Sequence, residues 1–170
     1  MIQFLGALLL TGGSTALGLG AANRLRARTN ALHALCSALQ TMDRELSFRL
    51  TPIPELFTLL AKTAEPPASD FFQCCAEGVT GEAPRLITSL WEQAIDKTLP
   101  ELNKEDRRIL LPLGNVLGRY SAEDQRAAIS EAVSDLERAA CQSEEIHIRK
   151  GRIYSILGLV SGTFFVILLL

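Results

Sequence analysis

The chain has 170 residues, with 17 Lys and Arg against 19 Asp and Glu, for a net charge of −2. That balance excludes the strongly basic surface of a nucleic-acid-binding protein. Hydrophobic residues make up 48% and mean hydropathy is positive, which is high for a soluble protein, so the distribution of the apolar residues decides the class.

That distribution is segregated. Residues 1–22 and 153–170 carry no charged side chain, and all charge lies between Arg24 and Arg152. A spanning helix needs about 20 apolar residues, with a lower bound near 17. The first segment clears this comfortably and the second is near the minimum, so both are expected to be transmembrane helices. Gly20-Ala21-Ala22 resembles a signal-peptide cleavage site, but a signal peptide carries its positive charge ahead of the apolar stretch. Here Arg24, Arg26 and Arg28 follow it, so the segment reads as a retained anchor. Arg149, Lys150 and Arg152 precede the second span. Positive flanks stay cytoplasmic, which puts the middle of the chain in the cytoplasm.

Between the spans the helices follow in order. From Arg24 to Leu50 the apolar positions Leu25, Leu32, Leu35, Cys36, Leu39, Met42, Leu46 and Leu50 form one helical stripe. Thr51-Pro52-Ile53-Pro54 ends it, because a residue before proline is pushed out of the helical region. Pro54 then suits the first turn of a second helix bearing Leu56, Phe57, Leu59, Leu60 and Ala64. Ser69 is the expected N-cap of a short third helix with Phe71, Phe72, Cys74 and Cys75, closed by Gly78 and Gly81. Pro84 opens a fourth with Leu86, Ile87, Leu90, Trp91 and Ile95, ending before Pro100.

A fifth helix runs from about Asn103 to Leu117, and Pro112 inside it is expected to kink or divide it. Ser121 to Asp124 resembles a capping box with Asp in place of Glu. No Gly or Pro interrupts Ala122 to Lys150, so a long sixth helix is expected to run to the membrane. Alternating β-branched runs and Asn-Gly hairpin turns are missing. The fold class is therefore all-α, a six-helix bundle (residues 23–152) between two terminal transmembrane helices (1–22 and 153–170).

Chemistry-bearing patterns are sparse. There is no HExxH, P-loop, GxSxG or CxxC. Cys36, Cys74, Cys75 and Cys141 read as small apolar residues kept reduced in the cytoplasm. Glu144-x-x-His147 matches a bundle metal motif, but it occurs once where facing helices need two. His33 and His147 have no nucleophile or carboxylate arrangement pointing to catalysis. A lipid-acting enzyme would have only Glu144, Glu145, His147 and Arg149 at the membrane boundary. The residues thus imply no enzyme, cofactor or metal. Within the spans, Gly12, Ala16 and Gly20 recur every four residues and Gly158-x-x-x-Gly162 is a GxxxG, the small-residue spacing that lets membrane helices pack closely.

Several stretches, in order, resemble the stage III sporulation protein AB family. They are Gly6-Ala7; Leu39, Met42, Glu45 and Leu46 with Thr51-Pro52-Ile53-Pro54-Glu55; Trp91; Leu113-Gly114 and Leu117-Gly118 ahead of Ser121, Asp124 and Gln125; and Lys150-Gly151-Arg152-Ile153-Tyr154 with Leu157-Gly158. Pro112 departs from that pattern. The resemblance implies a component of the complex joining mother cell and forespore, in the mother-cell membrane around the forespore. It also implies a soluble domain similar to the six-helix F-type platform domain of type II secretion and type IV pilus machines. Expected partners are a traffic-type ATPase, other stage III proteins and membrane lipids. The Leu-Gly pairs are expected to serve close helix packing. Glu45, Glu55, Asp124 and Gln125 are candidate partner contacts, although Asp124 also suits a cap and Glu55 a helix N-terminus. The competing reading is a small homodimeric membrane regulator or receptor unrelated to transport.

Overall fold

Proline, glycine and capping residues divide the chain into six helices among the described residues, with no strand. The computed structural model describes the backbone of residues 2–49, 51–80 and 86–169 and the side chains of residues 23–49, 51–80 and 86–145. The helices are α1 (Ile2–Phe48), α2 (Ile53–Thr63), α3 (Ala68–Thr80), α4 (Ile87–Thr98), α5 (Lys104–Val116) and α6 (Ala122–Leu169). Among the described residues no helix is long and apolar enough to cross a membrane. The side chains of 1–22 and 153–170, where the spans are expected, lie outside those described, as do the small residues Gly12, Ala16, Gly20, Gly158 and Gly162.

Long helices α1 and α6 pack along each other, and α2 to α5 follow as a chain of neighbours between them. Polar pairs fix the α1–α6 direction. Thr29 and Ser143 share a buried hydroxyl hydrogen bond of 2.7 Å, His33 meets Glu144 at 3.0 Å, Gln40 donates to Glu137 at 3.0 Å, and Arg126 donates to Asp43 at 3.0 Å. From Thr29 to Asp43 along α1 the partner on α6 moves back from Ser143 to Arg126, so the two helices are antiparallel and both chain ends leave the bundle at one end.

The expected stripes supply the core. Leu32, Leu35, Cys36, Leu39, Met42 and Leu46 of α1 are buried in one core with Ile129, Ala132, Leu136 and Ala140 of α6. Phe57, Phe71, Phe72 and Trp91 form an aromatic cluster, with Trp91 4.7 Å from Phe71 in an edge-on arrangement. The Trp91 indole N–H donates to the Leu110 carbonyl at 2.8 Å, which satisfies its one donor inside the core.

Three local expectations are corrected. Helix α5 is not divided: Pro112 lies on its exposed face within an unbroken Lys104–Val116 segment. Ser69 is not the N-cap of α3, which already begins at Ala68; its amide donates to the Glu65 carbonyl at 3.2 Å. Nor does Gly78 close α3: the helix runs through it to Thr80, and Leu90 of α4 packs close over it, an added Cβ falling 2.3 Å from a Leu90 methyl. Arg28, one of the three arginines of the first basic flank, makes a bidentate bond to Asp106 of α5, at 2.7 and 2.8 Å. Gly81 and Pro84 lie outside the described residues.

Candidate functional site

The end of the bundle opposite the chain termini is built from helix boundaries. At the finish of α1 the chain is broken by Thr51-Pro52, and the Glu45 carboxylate bridges that break, 3.7 Å from Arg49 and 3.5 Å from the Thr51 hydroxyl that donates to it. Phe48, the last residue of α1, lies off the buried stripe and is 85% exposed. Ile53 then enters the core as α2 begins, with Glu55 exposed in its first turn.

Helix α5 ends through Gly118, whose φ of 75° is the left-handed conformation that ends many helices and that glycine adopts at little cost. Gln125, in the first turn of α6, holds the following turn at both of its amide atoms. The Gly118 amide donates to its Oε1 at 3.1 Å, and its Nε2 donates to the Tyr120 carbonyl at 2.8 Å. Ser121 accepts from the Asp124 amide at 3.2 Å and donates to the Asp124 carboxylate at 2.7 Å, capping α6 as its spacing suggests. Held on both sides, the turn presents Tyr120 at 60% exposure.

The same turn rests on two other helix starts. A Cβ built on Gly118 would lie 2.9 Å from Ile87 at the start of α4 and 3.8 Å from Ile53 at the start of α2. The Thr88 hydroxyl donates to the Gly114 carbonyl at 3.0 Å, fixing α4 against α5. Leu86, expected inside the α4 apolar face, is instead its N-cap residue and is 66% exposed. Phe48, Leu86 and Tyr120 are the large apolar side chains that stand exposed among the described residues, and all three occupy this one end. Exposed Glu55, Glu123 and Asp124 lie at the same end, with exposed Arg44, Arg49 and Arg119. Arg126 nearby is engaged by Asp43.

All four candidate contacts therefore lie at this end. Gln125 is 8% exposed and its amide is spent on the turn, Asp124 caps α6, and Glu45 braces the α1–α2 break. Glu55 is exposed in the first turn of α2. Phe48 and Tyr120 were missed by periodicity, which marks what is buried; the available signal was an aromatic residue lying off a stripe or inside a turn.

Elsewhere the chemistry is sparse. No three His, Cys, Asp or Glu side chains gather to hold a metal ion among the described residues. Glu144 pairs with His33, both about half exposed, and His147 lies outside the described side chains. Cys36 and Cys75 are buried as expected, while Cys141 is exposed on α6. Burial pushes the Cys36 thiol up to about 11 and raises Cys75 as well, which keeps both protonated and unreactive. An open cleft of about 330 Å³ between α1 and α6 is lined by Gln40, Asp43, Arg44, Ile129, Ser130 and Val133; Gln40 is engaged by Glu137, Asp43 by Arg126 and Arg44 by the Thr41 hydroxyl.

Comparison with known proteins agrees with this architecture. The chain is 24% identical over 172 residues to stage III sporulation protein AB of Bacillus subtilis (strain 168), covering 100% of both chains. A solved structure of a stage III sporulation protein AB superposes with a TM-score of 0.63 at 23% identity, over 72% of this chain and 97% of that one, which establishes the shared fold. The family model described as stage III sporulation protein AB matches residues 3–170, so the chain belongs to the stage III sporulation protein AB family.

Proposed function

We propose that the protein is a membrane-anchored structural component of the complex linking mother cell and forespore, acting as a platform that holds a cytoplasmic traffic-type ATPase. Its charge-free terminal segments anchor it in the mother-cell membrane around the forespore, and the helical domain stands in the cytoplasm. Exposed Arg24 and Arg26, with Arg149, Lys150 and Arg152, suit anionic lipid headgroups at the boundary. The observation that carries the reading is the antiparallel α1–α6 pair. Both anchors leave from one end, and the exposed apolar side chains stand at the other, out of reach of the membrane.

The role is one of binding and positioning, not chemistry. A platform of this kind needs a rigid body on two stems, and the hydrogen-bonded α1–α6 seam supports that requirement. Purification of the tagged full-length protein from sporulating cells in mild detergent, with mass spectrometry of bound proteins, tests it. The expected result is recovery of the traffic-type ATPase and other stage III proteins, lost when Arg24 to Arg152 is deleted. Recovery of the intact protein with itself alone, across several mild detergents, removes the ATPase-holding role and puts the homodimeric regulator ahead.

A further inference from the structure

We draw no further inference here: the strongest candidate, the His33–Glu144 pair that α1 and α6 bring to 3.0 Å on the half-exposed edge of their seam, supplies two metal-ligating side chains where a zinc-type site takes three or four, and no third His, Cys, Asp or Glu gathers with them among the described residues.

Discussion

Arg28 and Asp106 are seventy-eight positions apart in the chain and share two parallel hydrogen bonds, with Asp106 only 1% exposed. The same carboxylate accepts from the Asn103 amide at 3.1 Å, so one side chain caps α5 and ties it to the stem of α1. The bond to Asp106 raises the Arg28 pKa above its ordinary value, so the guanidinium keeps its charge. Arg28→Met leaves a buried carboxylate with its cap bond and no counter-charge, and should cost about 3 kcal/mol of stability in urea unfolding. Arg28→Lys keeps the charge without the planar fork and should cost less. Equal midpoints for all three proteins would mean the pair is ornamental. The thiols give a second residue-scale expectation. At pH 8 roughly 0.1% of Cys36 is ionised with its pKa near 11. Alkylation of the folded protein should therefore reach Cys141 first, and Cys36 and Cys75 only on unfolding; rapid labelling of Cys75 would show that the core opens.

At the scale of the helices, close approach decides more than propensity does. Gly114 faces Trp91 so tightly that a Cβ would lie 2.9 Å from three of its atoms, among them Trp91 Cβ, which cannot swing away. Alanine in place of glycine in a helix ordinarily gains up to about 1 kcal/mol. Overpacking of this kind costs about 1–3 kcal/mol, so Gly114→Ala should lower the thermal midpoint; a raised midpoint would show that α4 and α5 have slack. The Leu113-Gly114 and Leu117-Gly118 pairs were readable as packing elements, and the apolar stripes located every helix, because burial imposes a period of 3.6 on a single chain. The sequence reading failed where the determinant is a neighbour distant in the chain. Gly78 resembles a helix stop until Leu90 is placed against it, and Arg28 resembles a membrane flank until Asp106 arrives from α5; Ser69 resembles a cap for a local reason, since the chain enters α3 one residue earlier. The candidate face was legible only in part. Glu55 and Asp124 could be picked out as polar residues at helix starts, but only three-dimensional contact puts Phe48, Leu86 and Tyr120 at one end.

For the molecule as a whole, the proposed membrane-anchored role depends on which side of the membrane the helical domain occupies. The antiparallel α1–α6 pair requires both terminal segments to leave at the same end, so the two basic flanks face the same side and must agree in their topological preference. Arg28 is withdrawn from that count by Asp106, yet Arg24, Arg26, Arg149, Lys150 and Arg152 remain, and the preference is unchanged. Exposed Cys141, on the side of α6 that leads towards the second flank, reports the answer directly once Cys74 is replaced by Ser, since Cys36 and Cys75 are buried and protonated. A membrane-impermeant maleimide should fail to label Cys141 in intact cells expressing the full-length Cys74→Ser protein and should label it within minutes after lysis. Labelling in intact cells would put the domain outside the cytoplasm, and no cytoplasmic ATPase could then reach its end face. Full protection both before and after lysis would place a partner or the bilayer over this part of α6.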